Sequence, residues 1–109
     1  MKKEIIINLD VEGFHYWEDA PLVVSFLKDS HRHIFKIKVG IEVTDSNREK
    51  EFFIEQWHLK EWFGEAYGVP AHFKSMSCEM IAEEVLEFIP YASWCEVWED
   101  NENGARVTR

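Results

Sequence analysis

Two long segments of this chain alternate apolar and polar side chains, and they do so in the same phase. "EIIINLDVEGFHYW" (4–17) places Ile5, Ile7, Leu9, Val11, Gly13 and His15 at its odd positions. Residues 31–44, "HRHIFKIKVGIEVT", place His31, His33, Phe35, Ile37, Val39, Ile41 and Val43 at theirs. The even positions of the second segment, among them Arg32, Lys36, Lys38, Glu42 and Thr44, suit solvent. A period of two sends successive side chains to opposite faces of a strand. Each segment therefore predicts a long strand with one apolar face, and both apolar faces end in histidine.

The remaining elements follow from local signals. "EDAPLVVSFLKDS" is a long connection with a proline, and "TDSNREKE" (44–51) is polar and turn-forming. "IEQWHLKEWFGEAYG" (54–68) predicts a helix with Trp57, Leu59, Trp62, Phe63 and Ala66 on a broad apolar face, stopped by Gly68 and Pro70. "SCEMIAEEVLEFIP" (77–90) predicts a second helix. Ser77 is its N-cap, Glu79 lies in its first turn, Ile81, Val85, Leu86 and Ile89 form one stripe, and Pro90 ends it. "SWCEVWED" (93–100) alternates as a strand, "NENG" reads as a turn, and "ARVTR" (105–109) reads as a last short strand. The order is β-β-α-α-β-β, an α+β arrangement that 109 residues can accommodate as one domain.

Charge and cysteine content narrow the function classes. Twelve Lys and Arg against 21 Asp and Glu leave a formal charge of −9, and the basic residues are scattered. A nucleic-acid binder presents a basic patch to phosphate, so no nucleic-acid partner is expected. Cys78 and Cys95 form no C-x-x-C pair, which argues against a disulfide framework or a thiolate zinc site. No apolar run approaches the roughly 20 residues that span a bilayer, and the opening "MKKEIIINLD" does not read as a signal peptide. A reduced, cytoplasmic protein without a membrane partner is the expectation.

The histidines carry the chemistry. If the first two strands pair antiparallel, the end of one meets the start of the other, and His15 approaches His31 and His33. Three imidazoles converging from rigid strands form the ligand set of a catalytic zinc with an open fourth position. The competing reading is ordinary: histidine is intermediate in burial and often hydrogen-bonds backbone at a strand end. Spacing and phase alone leave both readings open.

The motifs in their order resemble the 6-pyruvoyltetrahydropterin synthase and 6-carboxytetrahydropterin synthase (QueD) family of the T-fold superfamily. "GFHYW" supplies the first-strand histidine, and "HRHIFKIKVGIEV" supplies an H-x-H opening the second strand, with Arg32 where glycine is usual. "IEQWHLKEWF" sets Glu55 and the Leu59–Lys60 pair in the family's register. "MSCEMIA" matches the second-helix motif at Ser77, Glu79 and Ala82, and "VWEDNENGARV" offers Val97, Glu99 and Gly104.

The resemblance implies a T-fold with a four-stranded antiparallel sheet and two helices on one face. It implies Zn²⁺ on His15, His31 and His33, acting as a Lewis acid on substrate oxygens. It implies a pterin-like or purine-like ligand held by Glu99, with Glu79 and Ser77 assisting from the start of the second helix. It also implies a homo-hexamer of two stacked rings with pockets between subunits.

The departures lie in the proton-transfer machinery. "SFLKDSH" has Leu27 where a cysteine is often found, leaving Asp29 as the nearby acid, and "AHFKS" keeps His72 but has Ala71 in place of its aspartate. His72 and Asp29 are thus the candidate catalytic residues, and Cys78 reads as core packing. Two functions follow. One is a zinc-dependent lyase acting on a dihydroneopterin-triphosphate-type substrate. The other is a non-catalytic protein that binds or sequesters a pterin, purine or nucleotide.

Overall fold

The computed structural model describes residues 1–109. β1 (Lys3–His15) and β2 (His31–Val43) pair antiparallel along their whole length, from Lys3 opposite Val43 to His15 opposite His31. Ile7 therefore faces Val39 and Leu9 faces Ile37 on one side of the sheet, as the shared phase requires. β4 (Trp94–Glu99) adds to the free edge of β2, and β5 (Asn103–Thr108) adds to β4, both antiparallel.

The four-stranded, purely antiparallel sheet expected from the sequence is corrected by a fifth strand. β3 (Ala71–Lys74) runs parallel to β1 at its histidine end, and the strand order is β3-β1-β2-β4-β5. Its four residues alternate buried and exposed, too short a run to register as a period. What holds it is tertiary: Phe73 is buried among Phe35, Phe63 and Tyr67.

Both helices cover the apolar face. In α2 (Cys78–Phe88), Ser77 caps the N-terminus by accepting from the Met80 N–H, and Ile81, Val85 and Leu86 are buried as the stripe predicts. Arg109 closes the other end by donating to the carbonyls of Leu86, Ile89 and Ala92. α1 (Phe52–Tyr67) starts two residues before the expected position because Glu51 accepts from the Phe53 and Ile54 N–H groups.

The face of α1 also differs from expectation. Glu55, Leu59 and Phe63, four apart, point inward, which turns Trp57 to the outside, where it is 57% exposed. The buried Glu55 carboxylate accepts from the Tyr91 hydroxyl at 2.7 Å. The connection after β1 contains a kinked 3₁₀ segment, Leu22–Lys28, with no buried residue.

The β4–β5 turn falls earlier than "NENG". Asp100 and Asn101 take positive φ, and the Glu102 N–H donates to the Glu99 carbonyl. Short polar side chains tolerate this left-handed pair, which matches the twist of a hairpin. Gly104 is thereby placed in β5 opposite Trp98, where a Cβ would meet the indole at 2.6 Å.

Candidate metal centre

The full β1–β2 register dictates where the histidines meet. His15 sits directly opposite His31, and Gly13 opposite His33. The ring centroids are 4.5 Å apart for His15 and His31, 5.3 Å for His15 and His33, and 5.0 Å for His31 and His33. One ring nitrogen from each lies within 4.8 Å of the other two. Phe35 forms the floor, edge-on to His15 and His33, and Gly13 leaves room for it because a Cβ there would press on Phe73 and Phe35.

Every Nδ1 in the cluster is engaged from outside. His15 Nδ1 lies 2.9 Å from the Met76 carbonyl, and His31 Nδ1 lies 2.8 Å from the Asp29 carbonyl. His33 Nδ1 lies 2.7 Å from Asp100 Oδ2, whose Oδ1 accepts from the Ile34 N–H. These acceptors make each Nδ1 the protonated nitrogen and leave each Nε2 with a lone pair. Such outer acceptors fix the tautomer and ring orientation of metal-ligating histidines.

The Nε2 atoms of His15 and His33 are buried and have no hydrogen-bond partner. Buried polar atoms are ordinarily paired, and leaving one unpaired costs about 1–3 kcal/mol. A cation between the rings would satisfy both, so the donor set fits a divalent metal.

The surrounding charge fits as well. The Glu99 carboxylate faces the rings, with Oε2 3.0 Å from His15 Nε2 and Oε1 3.5 Å from His33 Nε2, contacts without hydrogen-bond alignment. His15, the nearest ring, holds Glu99 below the usual carboxylate range against the opposing effect of burial. Burial pulls His15 down, but Glu99 and the Met76 carbonyl outweigh it and hold His15 above its ordinary value. The bond from His33 and the Ile34 N–H keep Asp100 low. Two ionised carboxylates thus bracket the three imidazoles.

A cavity of about 430 Å³ opens beside the cluster. His15, His31, Leu27, Cys78, Glu79 and Glu99 line it, together with Ser77. Glu99, Glu79 and Ser77, the expected ligand-binding residues, are therefore brought to one cavity. Ser77 is partly committed, because its hydroxyl caps α2.

The candidate catalytic residues are not brought there. His72 pairs with Phe14 across β1 and β3 and stacks on its ring at 5.7 Å, on the face of the sheet opposite His15. Asp29 contributes its backbone carbonyl to His31.

Cys78, read from the sequence as core packing, donates to Glu99 Oε2 at 3.6 Å and lies in the cavity wall. Burial and Glu99 push its thiol up to about 12, so it is neutral near pH 7. Asp100 and the Met76 carbonyl escaped sequence reasoning. An acid directly after Glu99 was a usable signal for the first; a backbone carbonyl leaves none.

No protein-family model matches the chain. No curated protein matches it either. Among solved structures, the crystal structure of uncharacterized protein WS1659 from Wolinella succinogenes is similar, with a TM-score of 0.73 over 100% of this chain and 99% of that chain, at 15% sequence identity. The likeness is one of fold.

Proposed function

We propose that this chain is a zinc-dependent T-fold protein, similar to the 6-pyruvoyltetrahydropterin and 6-carboxytetrahydropterin synthases, that acts as a carbon–oxygen lyase on a dihydroneopterin-triphosphate-type substrate. One observation carries the reading: three imidazoles converge with every Nδ1 already engaged and two buried Nε2 atoms left without a partner. Zn²⁺ held by His15, His31 and His33 would supply Lewis acidity toward the side-chain hydroxyls of such a substrate.

The chain's own residues supply the rest. Glu79, exposed at the first turn of α2 on the cavity wall, offers a carboxylate to a substrate hydroxyl or ring N–H. The resemblance assigns ring recognition to Glu99, which opens onto the same cavity. The neutral Cys78 thiol bonded to Glu99 keeps that carboxylate oriented.

A second reading, ligand binding without catalysis, has its own support. Leu27 lines the cavity where the family this sequence resembles often has a cysteine, and His72 lies on the other face. One experiment separates the two. Protein from zinc-supplemented growth is assayed for metal, then incubated with dihydroneopterin triphosphate. One zinc per chain and a new pterin product are expected. Zinc with retained but unaltered ligand selects the binding protein, and absence of metal rejects both.

Assembly belongs to the same proposal. β1 is hydrogen-bonded along one side by β2, but on its other side β3 covers only Gly13–His15. The outer edge of β5 is likewise free. Gln56 satisfies the Asn8 carbonyl on β1 at 2.6 Å, and much of that edge remains open. Open strand edges are ordinarily paired or covered, so β5 of one copy against β1 of the next would close a ring. A homo-hexamer is the expected assembly. Light scattering at micromolar concentration checks this, and a monomer that still binds ligand would reject it.

A further inference from the structure

Glu99 lies against the open side of the histidine cluster, closer to the ring nitrogens than recognition of a ligand ring requires. Its oxygens are 3.0 Å from His15 Nε2 and 3.5 Å from His33 Nε2. Ligands sharing one tetrahedral Zn²⁺, each about 2.0–2.2 Å from the ion, lie about 3.3 Å from one another. The first, measured to Oε2, and the second, measured to Oε1, fall on either side of that spacing. Neither contact has hydrogen-bond alignment at the ring nitrogen.

The carboxylate is also held as ligating carboxylates are, by a hydrogen bond from outside. Cys78 Sγ–H donates to Oε2, and the Glu99 backbone is paired with Phe35 in the β2–β4 ladder. Each of the four groups thus has its own outer partner: Met76 for His15, Asp29 for His31, Asp100 for His33 and Cys78 for Glu99.

We infer that Glu99 is the fourth protein ligand of the centre, closing in the resting state the position that a substrate oxygen would take. The inference rests on the metal reading above and goes beyond it. A centre with three imidazoles and one carboxylate is complete at four. A substrate hydroxyl would then compete with Glu99 for a bound ion. A Glu99 that holds the ion is not available to a ligand ring at the same time, and Glu79 is the other carboxylate of the cavity.

The test titrates Co²⁺ and Zn²⁺ into the wild type, Glu99→Ala and Glu99→Gln, and records the Co²⁺ visible spectrum. Glu99→Gln keeps the side-chain shape, and circular dichroism of the metal-free proteins checks folding. One ion per wild-type chain is expected, with at least tenfold weaker binding and an altered Co²⁺ spectrum in both variants. Unchanged affinity and spectrum in both variants, beside a wild type that binds metal, would overturn the role of Glu99 and leave the three-histidine centre standing. A wild type that takes up neither metal would overturn the centre and the Glu99 role together.

Discussion

Replacing His15 by alanine is expected to weaken Zn²⁺ binding by roughly 10²–10³-fold while leaving a folded protein. Four-ligand structural zinc sites bind with about 10–16 kcal/mol, so one ligand of such a set accounts for about 3 kcal/mol. His15 is the ring to remove because it touches every other part of the centre. It is edge-on to His31, His33 and Phe35, its Nδ1 reaches Met76, and its Nε2 faces Glu99. The fold does not hang on it. β1 keeps its ladder to β2, and the core below is built from Ile7, Leu9, Ile37, Val39 and the helices. The orphaned Met76 carbonyl costs about 1–3 kcal/mol of stability.

Competition against a chromophoric chelator gives the affinity, and thermal melting of the metal-free protein gives the structural cost. His72→Ala is the matched control, since His72 stacks on Phe14 across the sheet and should leave zinc affinity unchanged. Equal zinc affinity in wild type and His15→Ala would remove the three-histidine centre.

The parts of this site that were legible in the sequence are those that a single strand encodes. Period-two phase put His15, His31 and His33 on one face, and antiparallel pairing of neighbours put them at one end. The stripe of α2 was legible for the same reason, since Ile81, Val85 and Leu86 repeat with a helix's own period. What escaped depends on partners distant in sequence. β3 exists because Phe73 fills a gap beside Phe35, and its register against β1 sends His72 to the face of Phe14. The apolar pattern places Trp57 on the buried face of α1, but its neighbour Glu55 is drawn inward instead, where Tyr91, 36 residues away, donates to it. The alternation of 93–100 places Asp100 at the end of a strand, whereas its positive φ makes it part of the turn. Its second task, holding His33, appears only once β4 lies beside β2.

Phe35→Ala should produce the largest loss of stability among single core changes near the centre, about 3–5 kcal/mol. Phe35 is fully buried and packs edge-on against Phe73, His15 and His33. Its backbone lies between Val11 on β1 and Glu99 on β4. Truncation removes the contact area and leaves a cavity that Gly13, with no side chain, cannot fill. For a domain of about this size each kcal/mol shifts the melting temperature by about 4–8 °C, so a drop of tens of degrees is expected.

The same change should also weaken zinc binding in molecules that remain folded, because the two rings lose the surface that sets their angle. Ile41→Ala separates these effects. Ile41 is as buried as Phe35 but lies near the far end of β2, opposite Ile5. Its loss should lower stability by about 2–5 kcal/mol without altering the affinity of the folded fraction. Measured below each variant's melting range, a zinc affinity reduced in Phe35→Ala and kept in Ile41→Ala shows that the floor positions the ligands. Equal affinity in both would mean that the outer hydrogen bonds to Met76, Asp29 and Asp100 orient the imidazoles without it.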